Sequence, residues 1–527
     1  ATVTAVEEVS ASEDSSNAWQ VAYVLVLIVA LILRVYDLDL VPLHHDEGVN
    51  GFFLTRLFRE GIYQYDPANY HGPTLYYLSL LTAFLFGLTT FAVRLVPALF
   101  GVATVWLILL LRRNIGDLGA LVAAALVAVS PGAVYMSRYY IHESLFVFFT
   151  LGLVIAALRY YEEAKPVYLL LASASTALLF ATKETAVISV AVLIIAAITT
   201  VIYVRLRRTL DRKGLKEGRR ARSKTPVRKS TGQETRQALE RFGGPKHVIL
   251  LSLGTVALFI FVSVLFYSSF FTHSKGVSDA LETFKFWTKT GKTAHVHVWY
   301  TYLSWLWQEE SPMLILGALG ACLVLWRADN PLALFYAQWA FGLLAAYSLV
   351  PYKTPWLTLN FIIPLAITGG YAVDVIYKWL EGTRERALVL TLAVAAVCVS
   401  GYQMMVLNFY HYDDDKYPYV YAHTRREFLQ LVDEINHLTT RAGTGAQTKI
   451  SVTSPDYWPL PWYLRDHKAV GYHGQISVSD EPIVIGSESQ EAELQKKLGD
   501  GYERINSYAL RPGVDLVLYV RRDLAGQ

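Results

Sequence analysis

The chain has 527 residues, of which 54% are hydrophobic and only 17% charged, with a mean hydropathy of +0.33. Soluble domains carry roughly 25% charged residues, so this balance excludes a purely globular enzyme or nucleic-acid-binding module and indicates a multi-span helical membrane protein with a soluble portion. The net charge of +3 conceals a separation, because residues 205–246 hold 15 Lys/Arg against 4 Asp/Glu, a net of +11 that leaves −8 for the rest.

Residues 1–18 form an acidic, Ser-rich tail carrying Glu7, Glu8, Glu13 and Asp14. The absence of a basic n-region argues against a cleaved signal peptide. Apolar runs long enough to cross a bilayer, about 17–25 residues, are read at 19–36, 91–111, 118–136, 143–161, 166–182, 184–204, 247–270, 311–326, 331–350, 356–378 and 386–407. The run Pro73 to Gly87 is shorter and carries Tyr76, Tyr77, Ser79 and Thr82, which suits a helix lying along the membrane surface. Segment 271–310 interleaves Phe284, Phe286, Trp287, Trp299 and Trp305 with Lys275, Lys285, Lys289 and Lys292, and reads as a second interfacial helix. Cys322 and Cys398 both lie in apolar runs, so no disulfide framework is implied.

Charge bias sets the expected topology. If 73–87 does not span, Arg112-Arg113, Lys165, the 205–246 loop, Arg327 and the Lys378–Arg386 turn all fall on one side, which the positive-inside rule assigns to the cytoplasm. The N-terminal tail joins them there. The 205–246 loop reads as disordered and in contact with anionic lipid headgroups, or simply as a solvated topology signal. Past residue 408 the composition changes. Short β-branched runs at 449–453, 482–485 and 514–520 alternate with helical stretches at 425–437 and 490–498, the pattern of a small α/β domain placed outside by parity. The rigid loop Ser454 to Tyr463, rich in Pro and Trp, reads either as a sugar platform or as a packing surface on the membrane domain.

The outer helix ends collect the unusual residues: His44-His45-Asp46-Glu47, Tyr70-His71-Gly72-Pro73, Ser137-Arg-Tyr-Tyr-Ile-His-Glu143, Thr182-Lys-Glu-Thr185 and Pro351-Tyr-Lys-Thr-Pro-Trp356. Charges beside a bilayer cost free energy unless they face water or do chemistry. Asp46 and Glu47 are candidates to take a proton from a nucleophilic hydroxyl or to hold a divalent metal through hard oxygen ligands. Arg138, Lys183 and Lys353, with Tyr352, are candidates to neutralise a phosphate leaving group. No Walker A or Gly-rich dinucleotide signature is present, which argues against an ATP-driven pump.

An Asp-Glu pair just past the first span, a Gly-Pro start to an interfacial helix at 72–87, Arg94-Leu-Val-Pro-Ala-Leu-Phe-Gly101, and Ser130-Pro131 leading to Ser137-Arg138 with an acid soon after together resemble the polytopic C-type (GT-C) glycosyltransferases. These include protein O-mannosyltransferases, aminoarabinose transferases and oligosaccharyltransferase catalytic subunits, and the resemblance, over roughly residues 19–205, leans toward prokaryotic flippase-activity-associated proteins. It implies a GT-C-like domain over 19–407, an extracytoplasmic α/β domain over 408–527, and a plasma-membrane enzyme. It further implies transfer of a sugar from a polyprenyl-phosphate carrier to a glycan or protein acceptor on the outer face, with no nucleic-acid partner. Asp46 matches the catalytic acid, and Glu143 matches a second acidic position where relatives commonly have Asp. Catalytic roles are thus expected at Asp46, Glu47 and Glu143, phosphate contacts at Arg138, Lys183, Lys353 and Tyr352, and a lining of His45, His71, His142 and Tyr139. Metal dependence varies among relatives; if Mg or Mn takes part, Asp46, Glu47 and His142 are its candidate ligands. The competing readings are a non-catalytic flippase partner for lipid-linked sugars and a structural subunit that retains the scaffold.

Overall fold

The computed structural model describes residues 2–69, 71–218, 240–287, 295–327 and 330–525. Half of the basic 205–246 loop (residues 219–239), Tyr70, Lys289 and Lys292 lie outside the described residues. Every one of the eleven expected apolar runs coincides with a helix. Among the described residues eight helices are long and apolar enough to cross a membrane on their own, or up to ten if each of two bent pairs is one span. The remaining run is the 15-residue helix Pro166–Phe180.

The order begins with α1 (Thr2–Val35), α2 (His45–Glu60), α3 (Thr74–Phe86), α4 (Thr90–Leu109) and a single turn α5 (Arg112–Ile115). At 13 residues α3 is about 20 Å long, short of the roughly 30 Å hydrocarbon core, in keeping with a surface helix. Asp46 and Glu47, expected at the exit of the first span, instead open α2, a separate helix. His44 caps it by accepting from Asp46 N (3.1 Å), Glu47 reaches back to His44 N (2.9 Å), and Gly61 closes it with φ +76°.

The 118–136 run, expected as one span, is α6 (Asp117–Ala128) and α7 (Pro131–Ser137), bent by 58°. Pro131 has no N–H for the carbonyl of Val127, and the Gly132 N–H turns to Glu310 Oε1 (2.7 Å), leaving the carbonyl of Ala128 open as well. Arg34 of α1, fully buried, takes both carbonyls, at 2.9 Å to Val127 and 3.0 Å to Ala128. The break is therefore built into the sequence and satisfied from a neighbouring helix. Helices α8 (Glu143–Glu163), α9 (Pro166–Phe180), α10 (Ala186–Gly218) and α11 (Pro245–Tyr267) follow. Segment 271–310 forms two helices rather than one, α12 (Lys275–Trp287) and α13 (Thr301–Glu309), the latter set at 114° to α14 (Ser311–Arg327). After α15 (Pro331–Leu349), helix α16 (Leu359–Trp379) runs through the middle of the bundle, buried along Leu359 to Asp374. Its Gly370 faces Gly119 of α6 so closely that a Cβ would sit 2.2 Å from the Gly119 carbonyl oxygen, the small-residue contact that lets membrane helices approach. Helix α17 (Thr383–Met405) completes the membrane domain.

The C-terminal domain is a five-stranded mixed sheet of order β2-β1-β3-β5-β4, in which β1 (Ile450–Val452), β2 (Val470–Tyr472) and β3 (Ile483–Ser487) are parallel and β5 (Val514–Arg521) runs antiparallel to both β3 and its hairpin partner β4 (Tyr502–Arg511). Strands β2 and β4 escape the sequence reading because neither carries a continuous β-branched run. Helix α18 (Glu427–Arg441) buries Phe428, Leu431, Ile435 and Leu438 on one face of the sheet, and the helix Glu491–Leu498 buries Leu494 and Leu498 on the other.

Candidate active site

Loop 454–463 packs, and it packs on α2. Gly48 and Gly51 lie three residues apart on one helix face. A Cβ on Gly48 would stand 2.6 Å from Pro459 Cβ, and one on Gly51 would stand 2.5 Å from the Trp462 ring. These glycines admit Trp458, Pro459 and Trp462 against the helix backbone. Tyr463 accepts from Leu43 N (2.9 Å), Arg465 donates to the carbonyl of Leu88 (2.7 Å), and Arg59 pairs with Asp466 at 2.9 Å. The C-terminal domain thereby roofs a cavity of about 680 Å³.

Asp46, on the first turn of α2, lines this cavity half-buried, and its carboxylate makes no hydrogen bond or ion pair among the described residues. The neighbouring His44 is buried and its pKa is lowered by that burial. With Nδ1 accepting from Asp46 N, its Nε2–H donates to the carbonyl of Tyr421 (3.1 Å), a neutral tautomer that fixes the start of the helix. A further part of the lining comes from the α9–α10 turn and the α8 N-terminus. Lys183 donates to Glu143 Oε1, and Glu184 Oε2 meets His71 Nδ1 at 3.1 Å. Burial alone would depress the Lys183 ammonium, but the Glu143 and Glu184 carboxylates outweigh it and hold the group above the ordinary lysine range. His142 lies 4.8 Å from His71 between ring centroids and donates through Nε2 to the carbonyl of Gly72 (3.3 Å). Burial, with His71 and Lys183 nearby, pushes its pKa well down, so it is neutral.

The structure thus brings Asp46, His45, His71, His142, Glu143, Lys183 and Tyr352 to one cavity from five separate segments. Four expected residues point elsewhere. Glu47 is fully buried behind α2, with Oε1 accepting from Arg94 Nε (2.7 Å) and Tyr140 N (2.7 Å) and Oε2 from Arg94 (2.6 Å) and His44 N (2.9 Å). The structure corrects its expected place in the site: it is paired with Arg94 and does not line the cavity, because consecutive helix positions point about 100° apart. Arg138 donates to the carbonyls of Leu33, Tyr36 and Asp37 past the end of α1 and lies over the Phe409 ring. Lys353, fully buried, turns back to the carbonyls of Ser348 (3.0 Å) and Val350 at the end of α15. Neither cation lines the cavity, so the phosphate role expected of them is corrected to helix-end capping. Tyr139 lies behind the wall, packed on His44 and His423 at 5.2 and 5.4 Å.

Residues outside the expected set complete the lining: Asn50, Asn69, Glu184, His295, Trp356, Tyr421 and Arg511. Glu184 stood beside Lys183 in a stretch already flagged. Asn50 bridges α2 to α3 and the α7–α8 loop, donating to Tyr140 O and accepting from Tyr76 Oη, both at 2.9 Å. The expected metal ligands do not fit a cation. Glu47 is taken by Arg94, His142 faces a carbonyl, and among the described residues no three His, Cys, Asp or Glu side chains form a ligand group.

Residues 70–214 match the family described as dolichyl-phosphate-mannose-protein mannosyltransferase. The Bacillus subtilis (strain 168) protein described as "Putative mannosyltransferase YycA" is 28% identical over 177 residues, 31% of this chain and 25% of that relative, so the match spans about a quarter of the relative's length. Over whole chains the structure is similar to ArnT from Cupriavidus metallidurans in the apo state, at a TM-score of 0.63 and 14% identity over 97% of this chain and 100% of that one. It is also similar to the same protein bound to undecaprenyl phosphate, at a TM-score of 0.55 and 16% identity over 94% and 97%. The likeness to ArnT is one of fold, and it takes in the helical membrane domain and the small C-terminal sheet domain together.

Proposed function

On this GT-C fold, we propose a glycosyltransferase that moves a sugar from a polyprenyl-phosphate carrier to a glycan or protein acceptor at the outer face of the plasma membrane. The observation that carries the reading is a single cavity lined both by the free carboxylate of Asp46 and by a lysine held charged. An acceptor hydroxyl would attack the anomeric carbon of the donor while Asp46 takes its proton. The bond from that carbon to the phosphate oxygen breaks, and polyprenyl phosphate leaves with the electron pair. Lys183 offsets charge developing on the leaving oxygen, acting as a point charge. The Glu143 and Glu184 carboxylates keep that lysine protonated and in place. Undecaprenyl phosphate bound to a structural relative supports a carrier of this chemical class.

The sidedness belongs to the same reading: N-terminus and basic loop cytoplasmic, residues 408–527 outside, supported by the sorting of Lys and Arg among the loops. With Cys322 and Cys398 replaced, an impermeant thiol reagent applied to intact cells should label Lys497→Cys and leave Ser223→Cys unlabelled; the reverse pattern contradicts this orientation. The activity is tested by incubating the purified protein with labelled polyprenyl-phosphate sugars and candidate acceptors. Acceptor-dependent release of polyprenyl phosphate is expected, and loss of no label from any donor contradicts it.

A further inference from the structure

Once Arg138 and Lys353 are seen to face away, the cations lining the cavity among the described residues are Lys183 and Arg511. Lys183 is committed to Glu143, with Glu184 adjacent. Arg511 comes from the other domain, more than 460 positions along the chain from Asp46. It is the last residue of β4, paired with Val514 across the turn Pro512-Gly513, whose Gly513 has φ +77°. The hairpin tip is anchored from beneath, Arg425 N donating to the carbonyl of Leu510 at 2.8 Å. Arg511 is therefore delivered to the cavity by a rigid turn rather than a loose loop. One of its terminal nitrogens donates to Asp456 of the docking loop, and its side chain is 16% exposed while that of Asp456 is 47% exposed. Its charge is felt at both imidazoles flanking Asp46.

From this placement, and resting on the reading of the cavity as a transferase site, we infer that Arg511 is a substrate-binding residue of the C-terminal domain that holds a phosphate group in the cavity it shares with Lys183. A planar guanidinium with one nitrogen tethered to Asp456 keeps further N–H groups to offer a tetrahedral anion. Two cations lining one cavity match an anion that gains charge when its ester bond breaks. The site would be incomplete without the soluble domain, which explains why that domain is seated so closely on α2.

Two sources could supply the phosphate, the lipid carrier or a water-borne sugar phosphate. Full-length protein in nanodiscs is titrated with decaprenyl phosphate and, separately, with mannose 1-phosphate, for wild type, Arg511→Ala, Arg511→Lys and Asp456→Ala. Arg511→Ala should weaken binding of decaprenyl phosphate about 10- to 100-fold, as expected for a desolvated charge-assisted contact, with partial recovery in Arg511→Lys. Asp456→Ala frees the guanidinium and should leave that affinity equal or tighter. A loss confined to mannose 1-phosphate would keep Arg511 as a phosphate ligand and move its partner to a water-borne substrate. Unchanged affinity for both probes in Arg511→Ala, or equal weakening in Asp456→Ala, overturns the inference and leaves a structural ion pair. Failure of the wild type to bind decaprenyl phosphate would instead overturn the reading of the cavity itself.

Discussion

Glu47→Gln separates a structural acid from a reacting one. The substitution keeps the side chain's shape and removes its charge, leaving Arg94 2% exposed and without its counter-ion. Removing one partner of a buried ion pair costs about 3–5 kcal/mol, because the other charge is left uncompensated. Here the lower end applies: Arg94 keeps the carbonyls of Leu38, Val41 and Pro42 as acceptors, and a Gln oxygen still accepts one hydrogen bond. The expected loss is therefore about 3 kcal/mol, read by denaturant titration in mixed micelles with the midpoint and slope fitted together. The double variant Glu47→Gln/Arg94→Met removes both charges and should recover most of that loss, since the coupling belongs to the pair. Residual transfer per folded molecule should stay near wild type. An unchanged unfolding midpoint together with abolished transfer would refute this and return Glu47 to the chemistry.

Gly48→Ala places a Cβ against the Pro459 Cα and Cβ atoms, at 2.8 and 2.6 Å. Backbone has to yield, at a cost of about 1–3 kcal/mol, so the C-terminal domain should loosen and limited proteolysis should cut the 408–426 linker faster than in wild type; an unchanged digestion rate counts against the docking. His44, His142 and His423 are each held neutral by burial, with pKa values below the ordinary range. A depressed folded pKa means the unfolded chain binds more protons, so their contribution to stability is complete above about pH 6.5 and is lost as pH falls below it. The unfolding midpoint should therefore rise from pH 5 to 7, and His423→Phe should flatten that slope; an identical slope in the variant refutes the assignment.

The sequence made the spans legible because hydropathy and charge bias act over whole segments, and the convergence of Asp46, Glu143, Lys183 and His71 because polar residues at helix ends are costly unless used. Side-chain direction was not legible. Whether Glu47 or Asp46 faced the cavity depended on α2 starting at His45, a register set by the His44–Glu47 cap rather than by either acid alone. Lys353 and Arg138 carry the right charge in the right stretch, yet the carbonyls left open at the ends of α15 and α1 claim them first. Arg511 had no signal beyond a Pro-Gly turn in a domain that looked separate; the Gly48 and Gly51 seats and the shared lining show that the two halves of the chain build one cavity.

The measurement that bears most directly on the central claim is transfer by Asp46→Asn. Proton removal by a positioned base contributes about 10²–10⁴-fold, and the Asn keeps the size of the side chain at the start of α2. With purified protein and a labelled polyprenyl-phosphate sugar that the wild type consumes, the variant should lose that factor in rate while still binding decaprenyl phosphate and unfolding at the wild-type midpoint. Near-full transfer by Asp46→Asn would contradict the account.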